Sequence, residues 1–416
     1  MCRNHRIVQA FASVTAVFST CQLTAMETTK VLPKGVRSMN LRVVDTAIHQ
    51  KTNRQGKALP LAHPLSQDLT FRKIAAGEDT IKGNLLRGFL LGEGIDLDTT
   101  VGSFDADLKA RIRVTAPIVA YGIHEKITLA LAIPYYRAAT NVSIGFNPNA
   151  QAQNFLTALS RPETNQVAAA REAGDKINRA VSRLNDKLEE HGFSRLGPWE
   201  KEGMGDITLA AKVLVAQYQV AQKSVSIAST GGLVAPSGRV DDPDILTDIS
   251  FGDGQWDVFG QVTFDEEILD QVTFNQSFKY THQMVGEKKV RAILEDEKIE
   301  VPVVTTSFKP GDKWESSLSL QWQPTFGLLS GLGYGIVKKD GDRYNRVPKE
   351  TARALEKDTD QSQQVAEASI GYSSVPHFQR GVAPLPMEVK LTLSQPIASQ
   401  NSPVSRLTQF DLSMFF

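Results

Sequence analysis

The side chains of this 416-residue sequence that are suited to catalysis form no recognisable catalytic motif. A phosphate-binding G-x-x-x-x-G-K-[ST] loop, an H-E-x-x-H zinc pair and a G-x-S-x-G nucleophile elbow are all absent. His124-Glu125 lacks the second histidine that a zinc pair needs, and the other histidines are scattered along the chain. The sequence therefore predicts no catalytic residue, no metal ligand and no cofactor.

A segment in which charged and apolar residues alternate, between Phe104 and Ala116, is the most informative group of polar residues. Every even position is apolar, and the odd positions include Asp105, Asp107, Lys109, Arg111 and Arg113. Because successive side chains of a strand point to opposite faces, one face is apolar and the other is charged. A soluble sandwich would turn the charges to solvent, whereas a membrane barrel would turn them to a wet lumen. This strand alone leaves both readings open.

Alternation recurs along the whole chain, in many segments of 10 to 14 residues. After residue 30 no apolar run approaches the ~20 residues of a membrane-spanning helix. The pattern predicts an all-β protein, a transmembrane antiparallel β-barrel of about twelve strands. We place these strands near 36–45, 104–117, 125–145, 206–219, 223–236, 255–264, 270–282, 313–324, 327–338, 363–374, 385–396 and 405–416.

The connections between these strands alternate in length, as they do in outer-membrane barrels. The inner turns are predicted at 118–124, 220–222, 265–269, 325–326 and 375–384. The outer connections are predicted at 46–103, 146–205, 237–254, 283–312, 339–362 and 397–404. A fourteen-stranded barrel is the alternative, with Leu69–Ile74 and Val301–Phe308 as the additional strands.

Charged residues in the strands are predicted to line the lumen, because each basic side chain facing lipid would cost about 2–4 kcal/mol. Inside the barrel they would either pair into rigid ladders or border a water path. The predicted lumen-lining residues are Asp105, Asp107, Lys109, Arg111, Arg113, Lys212, Lys279, Glu315, Glu367, Glu388 and Lys390.

Two outer connections have distinctive compositions. Within 146–205, the segment from Glu163 to Glu190 has helical spacing and predicts either a lid over the pore mouth or a hairpin packed on the rim. The connection at 237–254 and its edge are rich in aspartate, which suits either a Ca²⁺ site or a solvated, charged loop. The solvated loop is favoured, because the order does not match a calcium loop. These aspartates are Asp241, Asp242, Asp244, Asp248, Asp253 and Asp257.

The first 25 residues are predicted to be a secretory signal peptide. Arg3 and Arg6 give a positive start, an apolar run follows, and Thr24-Ala25 offers a cleavage point. A lipoprotein cut before Cys21 is the less favoured alternative. The barrel would then comprise 26–416 and contain no cysteine, because the two cysteines lie at positions 2 and 21.

The chain ends on an alternating strand whose apolar positions are Phe410, Leu412, Met414 and Phe416. This ending resembles the carboxy-terminal assembly signal of bacterial outer-membrane barrels. The resemblance implies that the barrel assembly machinery is a partner, and that membrane lipid and lipopolysaccharide surround the protein. The alternative is the buried last strand of a soluble β-domain.

Three short segments resemble a family of outer-membrane proteins grouped with the meta-pathway of phenol degradation, which is akin to the long-chain fatty-acid transporter barrels. They read YGIHEKITL at 121–129, GMGDITL at 203–209 and LVAPSG at 233–238, where Ser237 replaces the family's threonine. The resemblance implies passive uptake of small hydrophobic or aromatic compounds across the outer membrane. The family's plug region has no identifiable counterpart at the amino terminus.

Three hypotheses about function follow. The first is a channel or transporter of the cell outer membrane for small molecules that are hydrophobic or aromatic. The second is a structural or adhesive barrel with a plugged lumen and partner-binding outer loops. The third is an outer-membrane enzyme, for which no group of residues provides positive support. Nucleic acid is not an expected partner, since 46 basic and 46 acidic residues balance.

Overall fold

The computed structural model describes residues 27–76, 80–161, 168–291 and 302–416. The predicted signal peptide lies outside the described residues and stays a prediction. Strands dominate this part of the chain: β1 (Arg37–Thr52), β2 (Ala58–Pro60), β3 (Asp68–Thr70), β4 (Thr100–His124), β5 (Ile127–Ala132), β6 (Tyr135–Pro148), β7 (Trp199–Met204), β8 (Ile207–Val220), β9 (Lys223–Ala235), β10 (Asp257–Leu269), β11 (Val272–Gln283), β12 (Gly286–Arg291), β13 (Val303–Lys309), β14 (Lys313–Trp322), β15 (Leu328–Lys339), β16 (Arg343–Asn345), β17 (Gln361–Ser373), β18 (Met387–Gln400) and β19 (Pro403–Phe415).

Short helices lie between some of these strands. They are α1 (Phe71–Ala76), α2 (Thr80–Gly92), α3 (Ala150–Leu159), α4 (Ala168–Asn178), α5 (Ala180–Glu190), α6 (Lys349–Glu356) and α7 (Val375–Gln379). No described helix has both the length and the apolar character needed to cross a bilayer.

Twelve strands close into an antiparallel barrel, which confirms the predicted architecture and strand count. Around the barrel the order is β1, β19, β18, β17, β15, β14, β11, β10, β9, β8, β5 and β4, and β4 returns to β1. The closing seam joins β1 to β19 from Ser38–Phe415 onwards. The backbone N–H of Arg37 donates to the carbonyl of Phe416 at 2.7 Å, and Phe416 N–H donates to Arg37 at 2.9 Å.

The alternative of fourteen barrel strands is wrong. Strand β13 overlaps most of Val301–Phe308, of which Val301 lies outside the described residues, but it pairs with β12 and β16 in a separate small sheet. In Leu69–Ile74, the strand β3 ends at Thr70 and helix α1 begins at Phe71. The predicted outer loop 397–404 is also wrong, because β18 and β19 continue as a tall hairpin up to a turn at Asn401 and Ser402.

The strand predicted over 125–145 is broken in the barrel wall at Ile133-Pro134. Proline has no N–H for the ladder, and the partner strand breaks at the same level, at Gly205-Asp206. The Gly205 N–H donates to the Pro134 carbonyl at 2.8 Å. Above this break, β4 pairs with β6 and β6 pairs with β7, so that a sheet rises beyond the barrel.

Large apolar side chains cover the outer face of the barrel in the half nearer the short turns. Val119, Leu131, Leu209 and Leu391 are among the exposed apolar residues. Aromatic side chains such as Trp314 and Trp322 are exposed near the two ends of the strands. This surface has the form of a lipid-facing band between two aromatic girdles.

The outer connections build a cap with its own apolar core. Helices α1 to α4 pack together through Phe71, Leu86, Leu90, Phe155 and Ile177. The helix predicted over Glu163–Glu190 is found as α4 and α5, which are separated at Arg179, while 162–167 lie outside the described residues. The apolar face of α4, which includes Ala170, Ala173 and Ile177, packs into this core.

Candidate functional site

A cavity of 1860 Å³ lies inside the barrel. Its lining includes Asp241, Asp342 and Tyr344 at the loop end and Gln323 and Phe416 at the turn end. One space is therefore bordered by residues from both ends of the barrel, as a passage across a membrane requires.

One wall of this cavity is apolar. On β4, the inward-facing residues are Ile112, Val114, Ala116, Ile118 and Ala120. The inward positions of β5 and β8 continue the surface with Ala130, Ala132, Ala210 and Leu214. These small or aliphatic residues share one face because they occupy every second position of their strands, whose alternate side chains face outwards. This apolar wall can contact the hydrocarbon part of a solute without desolvating a polar group.

A row of polar and charged side chains, which we call the long row, begins on β8 beside the apolar wall and crosses the neighbouring strands as far as β14. It comprises Lys212, Thr230, Gln261, Lys279 and Glu315, which are cross-strand neighbours on β8, β9, β10, β11 and β14. All five line the cavity. Within it, Lys279 Nζ lies 3.3 Å from Glu315 Oε1 and 5.0 Å from the centre of the Phe259 ring.

A second group of charges, the short row, crosses β1, β19 and β18. It consists of Arg42, Asp411 and Lys390, which are neighbours in register and all line the cavity. Arg42 Nε donates to Asp411 Oδ1 at 2.8 Å. Strands β17 and β15 separate the short row from the long row on one side, and β4 and β5 separate them on the other. The two rows therefore face each other across the lumen.

Six of the predicted lumen-lining residues lie on the inner face of the barrel. Lys212, Lys279, Glu315, Glu388 and Lys390 line the cavity. Glu388 accepts a hydrogen bond from Ser373 Oγ at 2.9 Å. Glu367 is 4% exposed and accepts a hydrogen bond from Ser394 Oγ at 3.0 Å, so it stiffens the wall.

The other five predicted residues, Asp105, Asp107, Lys109, Arg111 and Arg113, lie on the opposite face of β4. Their side chains are exposed, while the alternate residues Leu108, Ala110 and Ile112 are buried in an apolar core. On the outer surface, Arg113 Nη2 lies 3.0 Å from Asp45 Oδ2. The structure thus corrects the expectation that these five line the lumen. Here β4 continues above the lipid-facing band, where its outer face meets water and charge carries no membrane penalty.

The amino-terminal segment 27–33, for which the sequence offered no plug-like signal, runs inside the barrel. Thr29 N–H and Oγ1 donate to Asp265 Oδ2 at 2.8 and 2.7 Å. The Leu32 N–H donates to Thr128 Oγ1 at 2.7 Å. All seven residues of the segment line the cavity. It therefore narrows the lumen near the turn end.

The segment is also held by two lysines. Lys212 Nζ donates to the Thr28 carbonyl at 2.9 Å and lies 3.6 Å from Glu27 Oε2. Lys30 Nζ donates to Gln323 Oε1 at 2.9 Å. These partners are more than 180 residues away along the chain. No local pattern in the sequence indicates such contacts.

No protein-family model and no curated protein sequence matches this chain. Among solved structures, it is similar to an outer-membrane channel from Pseudomonas putida F1, with 11% identity and a TM-score of 0.51 over 93% of this chain and 97% of that chain. The fold is that of a bacterial outer-membrane barrel. A FadL homologue of Pseudomonas aeruginosa gives 10% identity and a TM-score of 0.32 over 92% of this chain and 90% of that chain.

The monoaromatic hydrocarbon channel CymD gives 10% identity and a TM-score of 0.32 over 92% of this chain and 89% of that chain. In outer-membrane barrels the short turns and both termini face the periplasm. By this rule the segment 27–33 lies at the periplasmic end, and the cap lies outside the cell.

Several carboxylates of the acidic loop over the outer mouth of the barrel are paired with basic side chains. Asp241 Oδ1 lies 2.8 Å from Lys288 Nζ, and Asp244 Oδ1 lies 2.5 Å from Arg291 Nη2. Asp248, 2% exposed, accepts from both terminal nitrogens of Arg239. The expectation of a solvated loop is thus wrong for Asp241 and Asp248, which fold back onto basic residues, whereas Asp242 is exposed. No group of three or more His, Cys, Asp or Glu in the described ranges is arranged to hold a metal ion.

Asp206, in the connection between β7 and β8 outside the membrane-spanning strands, has an unusual environment. Burial raises the pKa of its carboxyl to about 6, and the nearby Asp253 carboxylate adds to the effect. The Gly238 N–H donates to Asp206 Oδ1 at 2.8 Å and opposes this shift. The folded protein therefore favours the protonated carboxyl compared with an unfolded chain, in which the pKa of aspartate is about 3.9.

This shift predicts a pH-dependent stability difference between the natural protein and D206N. An acid with a raised pKa in the folded state destabilises the fold as pH rises from about 4 to above 6. We expect the two proteins to have similar Tm values near pH 4 and D206N to have the higher Tm above pH 7. Circular dichroism melts in detergent across this range would measure the difference. A difference that does not change with pH would contradict the assigned environment.

Gly122 provides a test of the path of the amino-terminal segment. A Cβ atom at this position would lie 2.1 Å from the Pro33 carbonyl oxygen and 2.6 Å from that of Leu32. We expect G122A to displace the segment and to accelerate amide hydrogen exchange over 27–36. The matched control is G260A on β10, where a Cβ atom meets nothing within 4 Å. Equal exchange in the two variants would mean that the segment does not pass Gly122.

Proposed function

We propose that this protein is an outer-membrane channel for passive entry of small molecules with substantial apolar surface. The supporting observation is a cavity that is lined by residues from both ends of the barrel and has one apolar wall. The structural neighbour from Pseudomonas putida F1 is described as an outer-membrane channel, and we carry that role to this chain as a proposal.

The geometry supports passage without energy coupling. A solute would enter below the cap, slide along the apolar wall of β4, β5 and β8, and meet the two charged rows before the amino-terminal segment. Contact with the apolar wall contributes about 25 cal/mol per Å² of apolar surface removed from water, which favours partly hydrophobic solutes. The charged rows keep the rest of the lumen hydrated.

Reconstitution would test this proposal. Folded protein, identified by its heat-modifiable gel mobility, should give discrete current steps in planar bilayers and make liposomes permeable to arabinose. Benzyl alcohol should interrupt the current, because it would occupy the apolar wall. Folded protein that shows neither current steps nor arabinose entry would overturn the channel proposal and favour the plugged structural barrel.

A further inference from the structure

The position of the Glu27 side chain carries an inference that rests on the proposed channel function and deepens it. Its carboxylate lies in the lumen, 3.6 Å from Lys212 of the long row. Arg42 and Lys390 of the short row and Lys279 of the long row also act on this carboxylate electrostatically. A carboxylate that belongs to no strand of the barrel therefore occupies the space between the two rows.

The cations around Glu27 differ in how fully they are already paired. Arg42 is held by Asp411 at 2.8 Å and Lys279 by Glu315 at 3.3 Å. Among the described residues, no carboxylate oxygen lies within 4.0 Å of Lys390 Nζ. Lys212 makes its short hydrogen bond, 2.9 Å, to a neutral carbonyl of the amino-terminal segment. Lys212 and Lys390 thus retain capacity for an anion on opposite walls.

The apolar wall lies beside these cations. Lys212 and Ala210 are inward neighbours on β8, and Arg42 lies opposite Ala116 of the apolar wall in register. The inner surface therefore changes from charged to hydrocarbon within one residue step along β8. A solute that contacts both surfaces has an apolar body and a charged head.

We infer that the lumen selects small amphipathic carboxylates, whose head group binds between Lys212 and Lys390 while the apolar body lies on the wall of β4, β5 and β8. Glu27 occupies the head-group position when no substrate is present. Its side chain reaches this position because the amino-terminal segment is fixed to Asp265 and Thr128. Entry of a carboxylate replaces one negative charge by another, so the two rows keep their neutralising partner throughout.

Uptake into proteoliposomes at neutral pH would test this inference, with labelled benzoate, benzyltrimethylammonium and arabinose as probes. These three share a small size and differ in charge, and two share the aromatic ring. We expect benzoate to enter about tenfold faster than benzyltrimethylammonium, which corresponds to about 1.4 kcal/mol of preference. Each entry rate is divided by that of arabinose, so that the amount of folded protein cancels.

The variants separate charge from shape. K212M and K390M should each lower the ratio of benzoate to arabinose about fivefold. This change corresponds to a smaller free energy than that of one full ion pair in a water-free site. K390R should retain the ratio, because it keeps the positive charge. E27Q should raise the ratio, because the competing carboxylate is gone. K109M, on the outer face of β4, is the matched control and should match the natural protein. Intact mass would verify the amino terminus of E27Q.

Each outcome leads to a distinct conclusion. Folded protein that gives neither current steps nor arabinose entry would overturn the channel proposal itself. Arabinose entry with equal rates for benzoate and benzyltrimethylammonium would leave the channel standing and overturn the carboxylate preference. A benzoate-to-arabinose ratio in E27Q that does not exceed that of the natural protein would overturn the role of Glu27 as an occupant of the head-group position.

Discussion

Deletion of residues 27–33 is expected to raise the single-channel conductance severalfold. The segment lies inside the barrel and lines the same cavity as the two charged rows. It is fixed by hydrogen bonds to Asp265, Thr128 and Gln323 and does not belong to the barrel ladder. Its removal therefore widens the lumen while all twelve barrel strands keep their partners. Planar-bilayer recordings of the deletion variant and the natural protein would measure the change.

A cysteine pair tests the location of the segment independently. The natural cysteines are at positions 2 and 21, within the predicted signal peptide. T29C with D265C should form a disulfide that shifts the mobility of the unfolded chain, because Thr29 contacts Asp265 directly. The matched control is T29C with E266C, since residue 266 faces the outside of the same strand. A folded deletion variant with unchanged conductance would refute the obstruction.

Replacement of Asp248 by alanine is expected to open the loop over the outer mouth. Asp248 is 2% exposed and accepts from Arg239 Nη1 at 2.8 Å and from the Asp242 N–H at 2.7 Å. Arg239 also lies over the rings of Trp199 and Phe251, at 5.6 and 5.8 Å. Removing the carboxylate leaves a partly buried guanidinium without its counter-ion. Because Arg239 keeps some exposure, we expect a cost of about 2 kcal/mol, below the ~3–5 of a fully buried pair.

The readout is trypsin cleavage after Arg239 in the folded protein. A local cost of about 2 kcal/mol raises the open population about 30-fold and accelerates cleavage by the same factor. The matched control is D360A, which removes an exposed partner of Arg54, 3.4 Å away. Exposed pairs contribute about 0–1 kcal/mol, so cleavage after Arg54 should change little. If Arg239 in D248A is cut no faster than in D360A, the pair does not hold the loop.

The barrel could be predicted from the sequence because strand alternation is a local property. The period of two identifies a strand and its two faces wherever one face is apolar, and β8, β9, β11, β14 and β15 begin and end close to the predicted positions. The break at Pro134 was harder to predict from the sequence, because the effect of a proline on a strand depends on whether the neighbouring strand breaks at the same level. The top of the hairpin of β18 and β19 was predicted as a loop, because Ile397 to Val404 mixes apolar residues with Ser, Gln, Asn and Pro and shows no clear alternation.

Which face of a strand points inwards is not a local property, and β4 shows why. Its outward-facing residues are the odd-numbered ones from Asp105 to Arg113 in the half nearer the cap. In the half nearer the short turns they are Val119, Tyr121 and Ile123. One continuous face thus passes from water to lipid, and no residue marks the crossing. Lys212, Lys279 and Lys390 are isolated charges among apolar or small neighbours. For such residues the membrane penalty decided the direction.

The seam between β1 and β19 has a consequence for biosynthesis. Until β1 and β19 pair with each other, each has one edge without a neighbouring barrel strand. A bilayer tolerates no unpaired strand edge. A chain that stops before β19 would expose both edges to hydrocarbon, at several kcal/mol for each unpaired backbone group. An incomplete chain is therefore unstable in the lipid bilayer. Completion of the polypeptide and stable residence in the membrane become a single, all-or-none event.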